Sequence, residues 1–281
     1  MSEDLFYSFL ETALREDIGD GDHSSRSCIP ASAEGIAQLL IKDEGIIAGI
    51  EIVKRIYLRV DADLNFKQLL KDGDAIKHGD LAFTVSGNVH SILKSERLVL
   101  NIMQRMSGIA TQTSMYVQKL EGLKTRVLDT RKTTPGIRFL DKEAVRIGGG
   151  MNHRMGLYDM IMLKDNHIDF AGGIEKAINK TNLYLKNEGK ELLIVVEARN
   201  LEDISEILRI GKIHRIMLDN FSLVDTRLAV KMIAGRFETE SSGKITLKNL
   251  RDYAECGVDF ISVGALTHQI RSLDLSLKAI Q

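Results

Sequence analysis

The chain has 281 residues, of which 44% are hydrophobic and 27% charged, the composition of a globular protein with a large core. Its 38 Lys and Arg residues against 39 Asp and Glu residues leave a formal net charge of -1, so we expect no nucleic-acid partner. The first residues carry acids where a secretory signal is basic, and no apolar run approaches the ~20 residues that span a bilayer. We therefore expect a cytoplasmic protein that does not bind membranes, with Cys28 and Cys256 reduced and non-catalytic.

The first part of the chain predicts a small sheet accompanied by helices. Apolar residues recur with a helical period over residues 3–16, and a stretch rich in Gly, Asp and Ser follows. Short apolar runs separated by Asp-Gly, His-Gly and Ser-Gly-Asn then predict strands joined by turns. A long helical segment over about 95–123, with a break at Gly108, leads into the rest of the chain.

The second part of the chain repeats a strand followed by a helix. Strands are predicted at about 126–128, 160–163, 193–196, 215–218, 236–239 and 260–263. Helical patterns such as "NLEDISEILRI" and "LVDTRLAVKMI", with acids near their starts, stand between several of them. Alternating strands and helices imply a parallel sheet, and six or more such units favour an α/β barrel, with a doubly wound sheet as the alternative.

Charged and small residues follow each predicted strand. They are Asp129-Thr130-Arg131-Lys132, Lys164, Glu197, Asp219, Glu240-Ser241-Ser242-Gly243 and Gly264. In a parallel barrel the carboxyl ends of the strands converge on one face, where such folds place their chemistry. A single charged residue after a strand is usually solvated, but six strands that end in this way indicate one mouth containing cations and two separate carboxylates.

The residue types in this mouth point to an anionic substrate. Arg binds carboxylate or phosphate through a planar fork and Lys acts as a point charge, so several of each fit a ligand rich in anionic groups. The segments "SSGK" and "VGAL" offer backbone N–H groups for a phosphate near the last strands. Glu197 and Asp219 are suited to ribose hydroxyls or to a Mg²⁺ ion that arrives with a polyphosphate.

Five longer motifs, "DTRKTTPGIR", "AVRIGGGMNHRMGLYDMIMLKDNHI", "MLDNFS", "ESSGKIT" and "ISVGALTH", together resemble the quinolinate phosphoribosyltransferase family. The resemblance implies a type II phosphoribosyltransferase-like α/β fold: an N-terminal α/β sandwich domain at 1–110 and a C-terminal parallel α/β barrel at 111–281, whose last segment can return to the first domain. The family converts quinolinate and phosphoribosyl pyrophosphate into nicotinate mononucleotide, pyrophosphate and CO₂ in de novo NAD synthesis. It uses Mg²⁺ and no organic cofactor, and it forms a homodimer or a higher assembly such as a hexamer.

The resemblance also implies the roles of individual residues. The quinolinate carboxylates would meet Arg131, His153, Arg154 and Lys164, with Arg97 donated by the dimer partner and Thr130 and Lys132 completing that wall. The ribose and its metal would be held by Glu197 and Asp219. The 5'-phosphate would lie against Ser242, Gly243, Lys244, Val263, Gly264 and Ala265, with His268 beside it. The residues implied in catalysis are Lys132, Lys164, Glu197 and Asp219.

Three positions depart from the family pattern. Val195 stands where many relatives have an acid before Glu197, Lys244 stands where a Gly is common, and Gln269 replaces a usual Ser. These departures bear on metal coordination and on the phosphate contacts.

Other functions compete with this interpretation. A closely related branch of the family, associated with molybdenum-transport operons, would use another acceptor. Lys164 on a barrel strand also fits a Schiff-base lyase, although its Arg and His neighbours suit an anion better than a carbonyl. A non-catalytic phosphometabolite sensor is a third class. The glycine run "RIGGGMNHR" lacks the spacing of a dinucleotide site, and His153 and His167 lack the spacing of a zinc site.

Overall fold

The structure, a computed structural model, describes residues 3–280, and the chain divides into two compact units, each with its own main sheet. The first unit comprises the residues up to Ser114, together with Thr133–Gly149 and the residues from Leu266 onward. The second unit comprises Met115–Lys132 and Gly150–Ala265. Thr133–Gly149 thus belongs to the first unit, although along the chain it lies between two segments of the second.

The elements are numbered along the chain. The helices are α1 (Glu3–Ile18), α2 (His23–Cys28), α3 (Ile50–Val60), α4 (Val89–Lys119), α5 (Arg138–Ile147), α6 (Asp165–Ala171), α7 (Ile174–Glu188), α8 (Leu201–Ile210), α9 (Leu223–Ile233), α10 (Leu250–Ala254) and α11 (Ala265–His268). The strands are β1 (Glu34–Ile41), β2 (Gly45–Ile46), β3 (Asn65–Gln68), β4 (Ala75–Ile76), β5 (Leu81–Asn88), β6 (Arg126–Leu128), β7 (Ile161–Leu163), β8 (Ile194–Ala198), β9 (Arg215–Asp219), β10 (Glu238–Ser242), β11 (Phe260–Ser262) and β12 (Leu275–Ile280). Within residues 3–280, none of the helices has the length and apolar character needed to cross a membrane.

The main sheet of the first unit is antiparallel, with the strand order β12-β1-β5-β3. β1 lies between β12 and β5, and its residues Leu39 and Ile41 are fully buried. Tyr57 of α3 packs against Phe83 of β5 with ring centroids 6.0 Å apart, and Phe66 of β3 lies 4.7 Å from Phe83. The small predicted sheet is confirmed. Because β12 comes from the end of the chain, this sheet is complete only after the C-terminal segment has paired with β1.

Helix α4 runs without interruption through Gly108, where the sequence predicted a break. A Cβ atom on Gly108 would meet the carbonyl oxygen of Arg271 and would lie 3.0 Å from its carbonyl carbon. Gly108 therefore permits another backbone segment of the first unit to pack directly on the helix. The predicted break was wrong because this glycine serves close packing and does not end the helix.

The main sheet of the second unit is parallel, with the strand order β6-β11-β10-β9-β8-β7. Each strand from β7 to β10 pairs with the next one along the chain, and β11 pairs with β6. Met151 adds a parallel bridge to Leu128 of β6. This is the strand order of an α/β barrel, with helices between most consecutive strands, so the predicted fold class is confirmed.

Strand β10 lies further along the chain than the sequence predicted, because Glu240 belongs to the strand instead of following it. Glu240 is fully buried, and Nη1 of Arg215 on β9 donates a hydrogen bond to Oε2 of Glu240 at 2.9 Å. A carboxylate is tolerated in a protein core only when it is paired and hydrogen-bonded. The strand is present, but its predicted end was wrong because Arg215, the residue that pairs with Glu240 in the core, lies on another strand.

Candidate functional site

The carboxyl ends of the parallel strands in the second unit bring most of the predicted site residues to one edge. Lys164 directly follows β7, Glu197 is the penultimate residue of β8, and Asp219 is the last residue of β9. In the β9–β10 ladder Asp219 lies opposite Ser242, the last residue of β10. Since all six strands are parallel, these ends share one edge, as do the segments that follow β6 and β11.

Glu197 and Asp219 form a pair of carboxylates beside Lys164. Burial and the charge of Asp219 raise the pKa of the Glu197 carboxyl above its ordinary value, and Lys164 opposes this shift. Glu197 also accepts the N–H of Asp165, and Nδ2 of Asn220 donates to Oδ2 of Asp219 at 2.6 Å. The two carboxylates are therefore close enough to repel each other, and a bound cation or hydroxyl donors would stabilise both of them.

The segment that follows Met151 carries His153 and Arg154, which are 7% and 8% exposed. Oδ1 of Asp129 accepts the backbone N–H of His153 at 2.8 Å, and Nδ1 of His153 accepts the backbone N–H of Arg154 at 2.7 Å. Nη1 of Arg154 donates to the carbonyl oxygen of Met160 at 3.1 Å. These contacts fix the backbone of the segment and one side of the Arg154 guanidinium.

Thr130, Arg131 and Lys132 form the loop that follows β6. Oγ1 of Thr130 accepts the backbone N–H of Lys132 at 3.0 Å, while the side chains of Arg131 and Lys132 are exposed. Burial and the charge of Arg131 lower the pKa of the Arg154 guanidinium, and Asp159 opposes them. Because a guanidinium remains charged at neutral pH, Arg131 and Arg154 create a positive potential that a bound anion would relieve.

The turn after β10 is formed by Ser242, Gly243 and Lys244. Gly243 has φ +94 and Lys244 has φ +52, so both lie in the left-handed region that favours glycine. The carbonyl oxygen of Ser242 accepts the N–H of Asn220 at 2.9 Å, and a Cβ atom on Gly243 would lie 2.9 Å from that same nitrogen. The left-handed φ at Lys244 gives a physical reason why a Gly is common at this position in the family pattern.

The remaining predicted site residues divide between the units. Val263, Gly264 and Ala265 follow β11 in the second unit, and the N–H of Val263 donates to the last residue of β6 at 2.9 Å. Arg97 and His268 belong to the first unit, Arg97 as an exposed residue of α4 and His268 as the exposed last residue of α11. All the predicted site residues except these two therefore belong to the second unit.

Sequence reasoning gave no individual role to four residues that organise this edge, although it counted Asp129 and Glu240 among the residues that follow the predicted strands. Asp129 anchors the His153 backbone, Asn220 contacts both Asp219 and the turn after β10, and Glu240 and Arg215 form a buried ion pair beside His153. For Asp129 and Glu240 the available signal was an acid in or directly after an apolar strand. The sequence offers no comparable signal for Asn220 or Arg215.

A parallel α/β barrel with charged side chains and a glycine turn at the carboxyl ends of its strands has the architecture of the α/β-barrel enzymes, which carry their chemistry on that face. The model of the quinolinate phosphoribosyl transferase N-terminal domain matches residues 22–107, and that of the C-terminal domain matches residues 109–278. The chain belongs to the quinolinate phosphoribosyltransferase family, as its motifs predicted.

Individual relatives agree with this assignment. The chain is 45% identical over 284 residues to the chloroplastic nicotinate-nucleotide pyrophosphorylase [carboxylating] of Arabidopsis thaliana, covering 96% of this chain and 81% of that one. Among solved structures, NadC from Streptococcus pyogenes has a TM-score of 0.93 and 37% identity, covering 100% of this chain and 99% of that one. The nicotinate-nucleotide pyrophosphorylase of Francisella tularensis has a TM-score of 0.90 and 36% identity, covering 100% and 98%.

The turn after β10 predicts opposite effects of two neighbouring substitutions. Gly243→Ala places a Cβ atom against Asn220 at a left-handed φ, so we expect the free energy of unfolding to fall by about 1–3 kcal/mol. Lys244→Gly removes a left-handed non-glycine residue, so we expect it to leave stability unchanged or to raise it by up to about 1 kcal/mol. Urea unfolding of both variants measures the difference, and a Gly243→Ala protein as stable as the wild type would contradict the turn geometry.

The carboxylate pair predicts two pKa shifts of opposite sign. Asp219→Asn removes the repulsion that disfavours ionised Glu197, so the pKa of Glu197 should fall. Lys164→Met removes the neighbouring cation, so the same pKa should rise. Titration of the ¹³C-labelled Glu carboxyl groups by NMR in the ligand-free protein measures both shifts. Equal Glu197 pKa values in the three proteins would show that these groups do not interact.

Proposed function

We propose that this protein transfers the phosphoribosyl group of phosphoribosyl pyrophosphate to quinolinate with loss of CO₂, giving nicotinate mononucleotide and pyrophosphate in de novo NAD synthesis. Family membership supports the reaction. The observation that carries the site is the charge arrangement at the carboxyl edge of the second unit. Arg131 lies near enough to Arg154 to lower the pKa of its guanidinium, and Glu197 lies near both Lys164 and Asp219. This arrangement suits a dianionic acceptor next to a ribose that carries anionic groups.

Quinolinate carries two carboxylates, and the proposed wall offers a cation for each of them. Arg131 and Arg154 repel each other in the ligand-free protein, so a carboxylate bound between or beside them would relieve that repulsion. Lys164, His153, Lys132 and Thr130 complete the wall in this proposal. Nicotinate has only one carboxylate, so it would leave part of this positive charge without a partner.

The phosphoribosyl half of the site is proposed at the neighbouring strands. The ribose hydroxyls would donate to Glu197 and Asp219, and because Glu197 lies near Lys164 the sugar would then lie next to the quinolinate wall. The 5'-phosphate would accept N–H groups from the turn after β10 and from the segment after β11, as positive-φ turns at the end of barrel strands allow. His268 is proposed beside this phosphate. In this proposal the backbone N–H groups of the turn donate hydrogen bonds to the phosphate, and the ammonium group of Lys244 supplies a positive charge.

The chemistry requires positioning and charge more than proton transfer. When pyrophosphate leaves C1 of the ribose, positive charge develops on the sugar and negative charge on the leaving group, so fixed carboxylates and cations stabilise the two ends. The pyridine nitrogen, which carries no proton at neutral pH, forms the new bond to C1 without a general base. The ring nitrogen is then cationic and stabilises the carbanion left when the adjacent carboxylate departs as CO₂, after which that carbon takes a proton from solvent. The protein holds the reacting atoms in line.

We also propose that Glu197 and Asp219 hold Mg²⁺ carried by the substrate. The donor set fits, because two mutually repelling carboxylates favour a cation and because Mg²⁺ prefers one or two carboxylates together with substrate phosphates. Among residues 3–280 no group of three or more His, Cys, Asp or Glu side chains is arranged to hold a metal by itself. When bound, Mg²⁺ would neutralise part of the charge on the pyrophosphate. Val195, on the same face of β8 as Glu197, is buried and apolar, so it adds no ligand.

The Schiff-base alternative is less well supported. Lys164 is exposed and lies beside the carboxylate of Glu197, whereas a Schiff-base lysine needs a desolvated pocket or a cationic neighbour. An enzyme of the molybdenum-operon branch would use another acceptor, so the acceptor that this protein uses distinguishes that alternative from the proposed function. The name of the Arabidopsis thaliana relative places that protein in the chloroplast, and a cytoplasmic location stays a prediction for this chain.

The proposed reaction predicts that ¹⁴CO₂ is released from quinolinate labelled in the 2-carboxyl group only when phosphoribosyl pyrophosphate is present. Because the wall is built for two carboxylates, we expect nicotinate to be used less efficiently by a factor of about 10⁴ or more in kcat/KM. Comparable turnover of nicotinate, or CO₂ release without phosphoribosyl pyrophosphate, would reject the proposal. Excess EDTA should stop the reaction if the metal proposal holds, and borohydride trapping with a keto substrate detects a Schiff base at Lys164.

We further propose that the active site is completed by a second chain, because Arg97 is exposed on α4 of the first unit and the family pattern places this arginine over the partner's quinolinate. In a two-fold dimer, or in a hexamer built from such dimers, each chain would then lend Arg97 to its neighbour. Arg97→Ala and Lys164→Ala should each be inactive alone. After random subunit exchange about half of the dimers are mixed and contain one intact site, so activity should return to about a quarter of that of the wild type. Exchange without recovery of activity would remove Arg97 from the partner's site.

A further inference from the structure

A charged cluster lies inside the sheet of the second unit, below the edge that carries the proposed substrate groups. Glu240, in the middle of β10, has no exposed surface, and Arg215, the first residue of β9, is 8% exposed. Oε2 of Glu240 accepts a hydrogen bond from Nη1 of Arg215 at 2.9 Å and lies 3.4 Å from Nε2 of His153. The proposed reaction uses neither Glu240 nor Arg215 directly.

Arg215 is itself held rigidly, so it fixes the carboxylate of Glu240. Nε and Nη2 of Arg215 donate to Oε2 of Glu238 at 3.0 and 2.9 Å, and the guanidinium lies 4.0 Å from the centre of the Phe260 ring. Contacts of a guanidinium with two carboxylates and an aromatic face restrict both its position and its plane. Among residues 3–280, Oε1 of Glu240 has no hydrogen-bond partner, so Oε2 carries the anchoring contacts of this side chain.

The contacts of His153 connect this cluster to the substrate wall. Nδ1 of His153 accepts the backbone N–H of Arg154 at 2.7 Å, which requires an unprotonated Nδ1. The ring proton is therefore assigned to Nε2, which lies 3.4 Å from Oε2 of Glu240 in an electrostatic contact that does not have the geometry of a hydrogen bond. The negative charge of the Glu240 carboxylate favours a proton on Nε2, and therefore the tautomer that can accept the Arg154 amide; that amide belongs to the residue whose guanidinium is proposed to bind quinolinate.

The energetics favour a role beyond stability. Burial opposes ionisation of Glu240, but His153 and Arg215 outweigh burial and keep the pKa of its carboxyl below the ordinary value. A buried ion pair rarely adds stability over a well-packed apolar core, because desolvation cancels much of the attraction, although removing one partner is costly. A carboxylate at this position is therefore better explained by the geometry it imposes on His153.

We propose that Glu240 is a positioning residue for quinolinate binding: held by Arg215, it fixes the ring of His153, and the ring fixes the backbone that presents the Arg154 guanidinium to the substrate. The role of Arg154 in this inference rests on the proposed function. The tautomer and the contacts of His153 do not depend on it.

The first test uses the wild-type protein and no substrate. The ¹⁵N chemical shifts of the histidine rings, with His153 assigned by its loss in His153→Gln, should show a neutral ring protonated at Nε2. A ring protonated at Nδ1, or at both nitrogens, at pH 7 would overturn the inference even if no Glu240 variant folds. Glu240→Ala should shift this ring towards a mixture of tautomers, and an unchanged ring in the folded variant would also overturn it.

The second test separates positioning from simple destabilisation. In folded Glu240→Ala we expect the KM and the dissociation constant for quinolinate to rise by about 10-fold to 100-fold, the range of a lost charge-assisted contact, while the KM for phosphoribosyl pyrophosphate changes less than twofold. Glu240→Gln, which keeps an acceptor oxygen for Arg215 and His153, should recover most of the affinity. Glu238→Gln is the matched control, because Glu238 binds the same Arg215 but is half exposed, and it should change neither constant by more than twofold.

The outcomes of the second test distinguish failure of this inference from failure of the proposed function. An inactive wild-type enzyme that does not bind quinolinate rejects the function, and the histidine spectra still test the Glu240 contact. An active wild-type enzyme whose Glu240→Ala variant loses activity at unchanged affinity for both substrates assigns Glu240 a structural role only and rejects the inference.

Discussion

In the second unit the parallel ladder determines where chemistry can occur. Every strand from β6 to β11 runs in the same direction, so six chain segments that are far apart in sequence end at one edge. The register then sets which side chains are neighbours, as it does for Asp219 and Ser242, which lie opposite each other. Neither residue type is unusual by itself. Their proximity, and that of Lys164 to Glu197, follows from the hydrogen-bonding pattern of the sheet.

The same edge stores electrostatic repulsion that a ligand would remove. The charge of Asp219 disfavours ionisation of Glu197, and Arg131 and Arg154 repel as cations. A protein selected for stability alone would have no reason to place like charges so close together, and such local costs are typical of binding sites. The costs are local because the surrounding strands are buried and well paired. An anion bound to the two arginines, and hydroxyl groups or a cation bound to the two carboxylates, would offset both repulsions.

Two buried carboxylates and one glycine support the carboxyl edge of the parallel sheet. Asp129 and Glu240 are fully buried carboxylates that hold the backbone and ring of His153, and Gly243 lets the turn after β10 approach Asn220 closely. Asp129 and Glu240 shape the site without belonging to the proposed substrate contacts, whereas Gly243 is part of the turn proposed to bind the 5'-phosphate. In the first unit Gly108 plays a comparable packing role on α4, where a side chain would collide with Arg271.

The sequence by itself determined the family, the alternation of strands and helices, and the identity of the residues at the strand ends, because these depend on local periodicity and on uninterrupted motifs. The tertiary structure decided the features that depend on contacts between residues far apart along the chain. Glu240 belongs inside β10 because Arg215, 25 positions earlier, neutralises it across the sheet. Gly108 continues α4 because the backbone of Arg271 packs against it. In both cases the deciding partner is distant along the chain, and its position is fixed only when the unit has folded.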